Sequence, residues 1–229
     1  EVILLVFTAS CARFPQDPHR TLAQVLASGT IQVGVIANEP WVIGAMDETP
    51  RGLEPQLITA FAKELGVEVE WHWGSAEAMF EALKHYELDV IIGGLTKANP
   101  WGREVAFTLP YYTDDLIVGV PSTGSPPTTL DDVVVAIPAD TLLSDELEEQ
   151  GAIPKLQEDL TNYTGPVATN AWAIAGMGWQ PTEFTLRSDQ HVMALPRGEN
   201  AIVMRLETFL LDQTTEAQIA DLLWKAATP

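Results

Sequence analysis

The sequence predicts an α/β fold in two parts, and three observations support this prediction. Segments with apolar residues at helical spacing alternate with segments at strand spacing, which is typical of a mostly parallel sheet covered by helices. A loop rich in Ser, Thr, Gly and Pro at 122–129 separates an α/β region of about 90 residues from one of about 70. The segments 201–211 and 216–227 are both amphipathic, so a helical tail must pack on one part.

The first part is predicted to alternate helices and strands from its beginning. Its predicted elements are a helix over 21–28, a strand over 31–36, a helix over 53–65, a strand over 67–71, a helix over 76–85 and a strand over 88–92. Gly29 and Gly66 follow the first two helices, where glycine commonly ends a helix. The last strand is apolar without alternation, which indicates burial on both faces.

The second part is predicted to be smaller and less regular. Its predicted elements are a strand over 116–120, a strand over 133–137, an acidic helix over 143–150, an irregular region to 163, a segment of small and apolar residues over 167–177 and a final strand over 191–195. No internal repeat and no low-complexity tract interrupts this order. The chain therefore contains two α/β units followed by the helical tail.

Composition excludes several classes of function. The 229 residues include 12 Lys and Arg against 32 Asp and Glu, a formal net charge of -20. Nucleic-acid binding needs a basic surface that replaces counterions, so DNA and RNA are excluded as partners. A single cysteine, Cys11, excludes an internal disulfide and any Cys-rich zinc or iron-sulfur site.

The residues before Cys11 indicate export. Residues 2–10 form an apolar run that ends in small residues, too short to span a bilayer, which needs about 20 apolar residues. The run fits a secretory signal peptide, and Thr8-Ala9-Ser10-Cys11 resembles a bacterial lipobox. We therefore expect a signal-peptide remnant, lipobox and tether over 1–20, with Cys11 lipidated and the protein held to a membrane in the periplasm or at the cell surface. The alternative is a buried first strand with an inert thiol.

Motifs for catalysis and cofactor binding are not found. The sequence contains neither GxxxxGK[ST] nor GxGxxG for phosphates, and no HExxH, GxSxG or CxxC. Of the four histidines, His19, His85 and His191 are expected to be structural, and His72 is expected at the surface or at a sheet edge. We therefore expect no cofactor, no metal site and no catalytic residue.

Several short segments occur in a fixed order between residues 22 and 121. They are LASGTIQVGV at 26–35, EPW at 39–41, GLE at 52–54, AKELGV at 62–67, AL at 82–83, LDVIIGGLT at 88–96 and EVAFTLPYY at 104–112. Together they resemble the bacterial extracellular solute-binding proteins of family 3, the polar amino-acid receptors of ABC importers.

The resemblance implies the type II periplasmic-binding fold. Two α/β lobes, each a mixed, mostly parallel sheet flanked by helices, would be joined by two hinge strands, with the ligand between the lobes. Lobe 1 would comprise 21–117 plus 196–229, including a helix that starts after 198–200 and packs on that lobe, and lobe 2 would comprise 118–195. The implied function is a monomeric, non-catalytic receptor whose partners are ABC permease subunits and a small solute.

Loops that follow three strands are expected to meet in one cleft, because ligands of open α/β sheets bind beyond the carboxyl ends of the strands. These loops carry Glu39 and Trp41, Gly94 and Thr96, and Asp140 and Thr141. The resemblance implies that small hydroxyl side chains and backbone amides, here at Thr96 and Thr141, contact the ligand. The alternatives are that Trp41 only covers the sheet and that the threonines only cap helices.

Two departures from the family pattern bear on the ligand. The arginine with which family members bind an α-carboxylate falls on Trp101, with Arg103 two positions later, and the carboxylate that binds the α-ammonium group falls on Asn170. A standard α-amino acid would lose both contacts. Aromatic rings and carboxylates suit an organic amine or quaternary ammonium ligand, and the candidates are Trp41, Trp101, Trp172, Glu39 and Asp140.

Three alternatives stay open. Arg103 could act as a displaced clamp for an amino acid or another small carboxylate. The chain could be an enzyme on the same fold, such as a cyclohexadienyl-dehydratase-like lyase, for which Glu39 and Asp140 are the candidate acids or bases. A sensor domain is the third alternative.

Overall fold

The structure is a computed structural model that describes residues 17–139, 143–213 and 215–228. The predicted signal peptide and lipobox with Cys11 lie outside the described residues, as do the candidate ligand residues Asp140 and Thr141. In these ranges no helix combines the length and the apolar character that a membrane span requires.

The first sheet has five strands and forms the basis of lobe 1. Its strands are β1 (Thr30–Val35), β2 (Glu68–Trp73), β3 (Val90–Ile92), β4 (Ala106–Phe107) and β10 (Ala194–Leu195). Their order is β2-β1-β3-β10-β4, in which β1 is parallel to β2 and β3, and β10 is antiparallel to β3 and β4. The residues of β3 are fully buried, which confirms the strand buried on both faces.

Helices cover both faces of this sheet. They are α1 (Thr21–Ser28), α2 (Leu53–Leu65), α3 (Ala76–Lys84), a 3-10 helix (Pro100–Arg103), α6 (Asn200–Gln213) and α7 (Glu216–Ala227). Phe61 of α2 and Phe209 of α6 pack with ring centroids 5.4 Å apart on one face. Phe80 of α3 is buried on the other. The tail therefore packs on this sheet, because its apolar stripe completes this core.

The second sheet forms the basis of lobe 2. Its strands are β5 (Tyr112–Val120), β6 (Val134–Pro138), β7 (Ile153–Gln157), β8 (Val167–Asn170) and β9 (Gln180–His191), and its helices are α4 (Ser144–Glu149) and α5 (Ala171–Gly176). The order is β7-β6-β8-β5-β9, with β6 parallel to β7 and β8, and β5 antiparallel to β8 and β9. The predicted two-lobed α/β fold is confirmed.

The strands β5 and β9 carry the chain between the lobes. They pair from Tyr112 and His191 at the lobe 1 end to Val120 and Gln180 at the far end. The Lys97 N–H donates to the Gln190 carbonyl at 2.8 Å, so lobe 1 is hydrogen-bonded to the crossing itself. The proposed boundary at 117/118 falls inside β5, and the proposed boundary at 195/196 follows β10 of the first sheet.

The lobes also touch beside this crossing. Helix α5 packs on α7, and Gly176 lies against the Trp224 indole so closely that a Cβ there would fall 2.1 Å from Trp224 Cδ2. A larger residue than glycine would therefore force these two helices apart. The position explains why a glycine ends a helix otherwise made of Ala, Trp and Ile.

The first described residues are attached to lobe 1. The buried Glu199 carboxylate accepts hydrogen bonds from the N–H groups of His19 and Thr21, each at 2.8 Å. The His19 ring stacks on Tyr86, with centroids 3.7 Å apart. The tether thus meets the folded protein at the N-terminus of α6, where the backbone of His19 and Thr21 is fixed by a side chain distant in sequence.

Candidate functional site

A buried carboxylate organises the turn after β3. Glu54, in the first turn of α2, is fully buried and accepts hydrogen bonds from the N–H groups of Gly93 and Gly94, at 2.6 and 2.8 Å, and from the Tyr111 hydroxyl at 2.6 Å. Burial raises the pKa of Glu54, and the three donors oppose that shift. The candidate residue Gly94 is therefore held in place by a charge-assisted network.

The loops after β1 and β3 meet at this turn. Gly94 has a φ of 62°, and a Cβ at this position would lie 2.5 Å from Asn38 Nδ2 and 2.7 Å from Trp41 Cδ1. The Asn38 side-chain amide donates to the Gly93 carbonyl at 2.9 Å. Glycine is required here for its left-handed conformation and for the close approach of Trp41.

Trp41 is packed against the hinge strands. It is 5% exposed, and its ring stacks on His191 with centroids 3.6 Å apart and an angle of 20° between the planes. Tyr112 packs beside it at 5.9 Å between centroids. Burial lowers the pKa of His191 to about 4, so the ring is neutral at physiological pH. In this arrangement Trp41 contributes to the lobe interface.

A second buried carboxylate, Asp114, lies on β5 and contacts lobe 2. Its Oδ2 accepts hydrogen bonds from Asn170 Nδ2 at 2.8 Å and from Trp172 Nε1 at 3.3 Å. Burial raises the pKa of Asp114 to about 6, the two donors lower it, and the nearby Asp189 and Asp115 raise it further. The candidates Asn170 and Trp172 are thus brought together around a carboxylate that the sequence analysis did not single out.

The remaining candidates lie in separate places. Thr96 lines a cavity of about 380 Å³ beside Lys97 and Gln190, at the crossing of the hinge strands. Arg103 is exposed and lines a different cavity of about 730 Å³. Glu39 is exposed in the loop after β1.

The structure does not bring Trp101 together with Trp41. Its ring stacks on Phe80 of α3, with centroids 5.2 Å apart and planes at 3°, and it packs with a different hydrophobic cluster from Trp41. Lys84 Nζ lies 5.5 Å from the Trp101 centroid. In this structure the 3-10 helix turns the Trp101 ring onto α3, and the role of Trp101 in the cleft stays a prediction.

Sequence reasoning missed four of the buried polar and aromatic residues here, and gave a fifth, His191, only a structural role. The missed residues are Glu54, Tyr111, Tyr112 and Asp114. For Asp114 a signal was available, because Tyr112, Asp114 and Leu116 alternate onto one strand face. The predicted strand began at 116 and left that face incomplete. Among the described residues, no cluster of three or more His, Cys, Asp or Glu could bind a metal ion.

Residues 31–226 match the profile of the family described as bacterial extracellular solute-binding proteins, family 3. The chain belongs to this family. The resemblance proposed from the short segments is confirmed, and the match extends through lobe 2 and the tail.

Curated relatives match over a shorter stretch. The chain is 31% identical to membrane-bound lytic murein transglycosylase F of Vibrio cholerae over 98 residues, which are 42% of this chain and 18% of that protein. The match therefore spans less than a fifth of that relative's length.

Solved structures of the same fold cover nearly the whole chain. The L-cystine solute receptor of Neisseria gonorrhoeae, in an unliganded open conformation, has a TM-score of 0.69 and 15% identity over 91% of this chain and 99% of that chain. An ancestral cationic amino acid solute-binding protein has a TM-score of 0.67 and 20% identity over 91% and 100%. An ancestral cyclohexadienyl dehydratase has a TM-score of 0.64 and 20% identity over 89% and 94%. At these identities the likeness shows the fold alone.

Proposed function

We propose that this protein is the extracytoplasmic substrate-binding component of an ABC importer and captures a small polar solute between its lobes without chemical change. The observation that carries the proposal is the convergence of polar and aromatic groups from both lobes on the crossing of β5 and β9. Trp41 comes from lobe 1, Asn170 and Trp172 come from lobe 2, and Asp114 and His191 lie on the strands between them.

The mechanism follows from this placement. A solute that contacts both lobes stabilises the closed arrangement relative to the open one by the difference between its affinities for the two. The hinge strands absorb the movement, and the permease subunits would bind the closed form. The receptor needs no reacting group, only contacts made on both sides of the crossing.

The ligand class we propose is an organic amine or quaternary ammonium compound. Trp41, Tyr112 and Trp172 share one hydrophobic cluster close to the Asp114 carboxylate, and a cation is stabilised both by aromatic faces and by a carboxylate. Two structural neighbours are described as receptors of a cationic amino acid and of L-cystine. The alternative is an amino acid or small carboxylate bound through the exposed Arg103.

Calorimetric titration of the purified chain tests the proposal. The panel is choline, putrescine, glycine betaine, L-arginine, L-cystine and L-glutamate, with small-angle scattering to detect closure. We expect binding of an organic cation together with a smaller radius of gyration. Tight binding of ordinary amino acids that is lost in Arg103→Ala would favour the carboxylate alternative. A panel without any binding would count against a receptor for these solute classes.

An enzyme on this fold is the second candidate, favoured by the likeness to an ancestral dehydratase. Of the two acids predicted for such chemistry, Glu39 is exposed in the loop after β1, and Asp140 lies outside the described residues. Incubation with prephenate or arogenate, followed by chromatography, tests it. Turnover that disappears in Glu39→Gln would support a lyase, whereas unchanged substrate is the outcome expected of a receptor.

We further propose that the protein is anchored by lipid at Cys11 and acts as a monomer. The support is the lipobox-like Thr8-Ala9-Ser10-Cys11 and the extracellular character of the family. Metabolic labelling with a radioactive fatty acid should mark the wild type and leave Cys11→Ser unmarked. Equal labelling of both would contradict the anchor, and a dimer mass in light scattering would contradict the monomer.

A further inference from the structure

One oxygen of the Asp114 carboxylate stands apart from the hydrogen-bond network around it. Asp114 is 4% exposed, and both donors, Asn170 and Trp172, reach the same oxygen, Oδ2. The other oxygen, Oδ1, is buried and has no hydrogen-bond partner among the described residues. A buried carboxylate oxygen without a partner is costly, so such a group commonly serves a purpose other than stability.

The charges near Asp114 do not neutralise it. Asp189 is its partner residue across the β5 and β9 pair, and Arg187 Nε lies 3.0 Å from the Asp189 carboxylate. Asp115, the next residue of β5, accepts a hydrogen bond from the Ser188 hydroxyl. Within the described ranges, no ion pair involves Asp114. Of these three carboxylates at the crossing, Asp114 is the one whose unpartnered oxygen is buried.

The groups around Asp114 come from both lobes. Asn170 and Trp172 belong to lobe 2, whereas Tyr111, which is close enough for Asp114 to influence its pKa, bonds to Glu54 of lobe 1. Separation of the lobes would therefore uncover the carboxylate, and closure would surround any group bound to it. This is the placement that a closure-linked binding residue requires.

We propose that Asp114 binds the cationic nitrogen of the solute and so determines its charge class. The inference rests on the proposed receptor function and deepens it. Asn170 and Trp172 orient the carboxylate through Oδ2 and leave Oδ1 for the ligand, and the indole of Trp172 and the ring of Tyr112 border the same cluster. The solute is an organic cation whose apolar substituents contact these rings.

The test compares a cation with its neutral analogue. Choline and 3,3-dimethylbutan-1-ol have nearly the same shape, but only choline is charged, and L-arginine and putrescine extend the cation series. We expect the wild type to bind at least one of these cations and to discriminate against the neutral analogue. Asp114→Asn should weaken cation binding by about 30-fold or more, because it removes one partner of a buried charge pair. The matched control Asp115→Asn makes the same charge change one residue away and should alter binding less than about 3-fold.

A charge-relocation variant separates recognition from folding. Asp114→Asn combined with Asn170→Asp keeps one amide and one carboxylate in contact but moves the charge across the contact. We expect it to regain about 10-fold or more of the lost cation affinity, because the carboxylate still faces the same rings. If Asp114→Asn alone does not fold, the double variant is compared with Asp115→Asn in its place.

Three results would overturn the proposal. The first is cation binding by Asp114→Asn within about 3-fold of the wild type. The second is that Asp114→Asn loses affinity for charged and neutral solutes equally and the relocation variant recovers none of it. That result would show that Asp114 has a structural role. The third is a wild type that binds carboxylates or neutral solutes but none of the cations. In that case the receptor function stands and only the role of Asp114 is lost.

Discussion

At the scale of single residues, Glu54 is the side chain on which the position of the turn after β3 depends. Its two oxygens serve three donors, the N–H groups of Gly93 and Gly94 and the hydroxyl of Tyr111. Water cannot replace them, because Glu54 is fully buried. The residue therefore links the start of α2 to the turn that supports Trp41.

We predict that Glu54→Ala lowers the free energy of unfolding by about 3 kcal/mol or more, because three buried donors lose their acceptor. Tyr111→Phe removes only one of these hydrogen bonds and should cost about 1 to 2 kcal/mol. Urea unfolding followed by circular dichroism measures both. Equal losses in the two variants would show that the Gly93 and Gly94 N–H groups do not depend on Glu54.

The residues of the site were only partly predictable from sequence. Gly94 and Trp41 could be placed together because both follow parallel strands, whose carboxyl ends share one edge of the sheet. Trp101 could not be placed, because its direction depends on a 3-10 turn and on the Phe80 ring distant in sequence. The alternation of Tyr112, Asp114 and Leu116 could have placed Asp114 on one face of a strand, but its hydrogen bond with Trp172, distant in sequence, could not be predicted.

At the scale of elements, the hinge pair of β5 and β9 combines a polar strand with a mostly apolar one. At its lobe 1 end, His191 is buried under the Trp41 ring and its Nδ1 has no hydrogen-bond partner among the described residues. Protonation would place a charge in this apolar contact. The hinge is therefore expected to be sensitive to acid.

We predict that the stability of the wild type relative to His191→Phe falls as the pH drops from about 6.5 to about 4. The unfolded chain binds a proton near the ordinary histidine pKa of 6.5, whereas the folded protein does so only near its pKa of about 4. The contribution of neutral His191 to stability is thus fully present above this pH window. It is lost as the pH falls through the window, by up to about 3 kcal/mol. Phenylalanine can still stack on Trp41 but does not titrate.

Urea unfolding of both proteins at several pH values in this window measures the effect. The unfolding free energy of the wild type minus that of His191→Phe should become steadily smaller as the pH is lowered. A difference that stays constant across the window would mean that the folded His191 takes up its proton as readily as the unfolded one.

The elements themselves were predicted unevenly. Helices α1, α2 and α7 were predicted with the bounds that the structure shows, because each has an apolar stripe and a clear end. The twelve residues of β9 were missed except for the last, because mainly polar side chains occur on both faces. Such a strand is specified by its partner β5, and hydrophobic periodicity cannot reveal it.

At the scale of the whole molecule, the excess of acidic residues is the dominant electrostatic feature. With 32 acidic and 12 basic residues, carboxylates outnumber basic side chains by 20. The ion pairs of the described residues lie mostly at the surface and involve Lys84, Arg187, Arg205 and Lys225. Repulsion among the remaining carboxylates opposes the compact state.

We predict that the melting temperature rises between about 0.1 M and about 1 M NaCl, because the Debye length shortens from about 10 Å to about 3 Å. Differential scanning calorimetry measures the shift. The same salt series near pH 4 is the control, since part of the carboxylates are then protonated and the rise should be smaller. A rise of equal size at both pH values would point to a salt effect on apolar surface in place of screening.

The attachment of the first described residues to Glu199 has a mechanical consequence. A force applied to the chain before His19 is transmitted to lobe 1 through the backbone hydrogen bonds of His19 and Thr21. It is not transmitted through β5 and β9. If the tether is fixed to a membrane, lobe 1 keeps its position relative to the membrane and lobe 2 moves when the protein opens or closes. The tether then does not resist the opening and closing of the lobes.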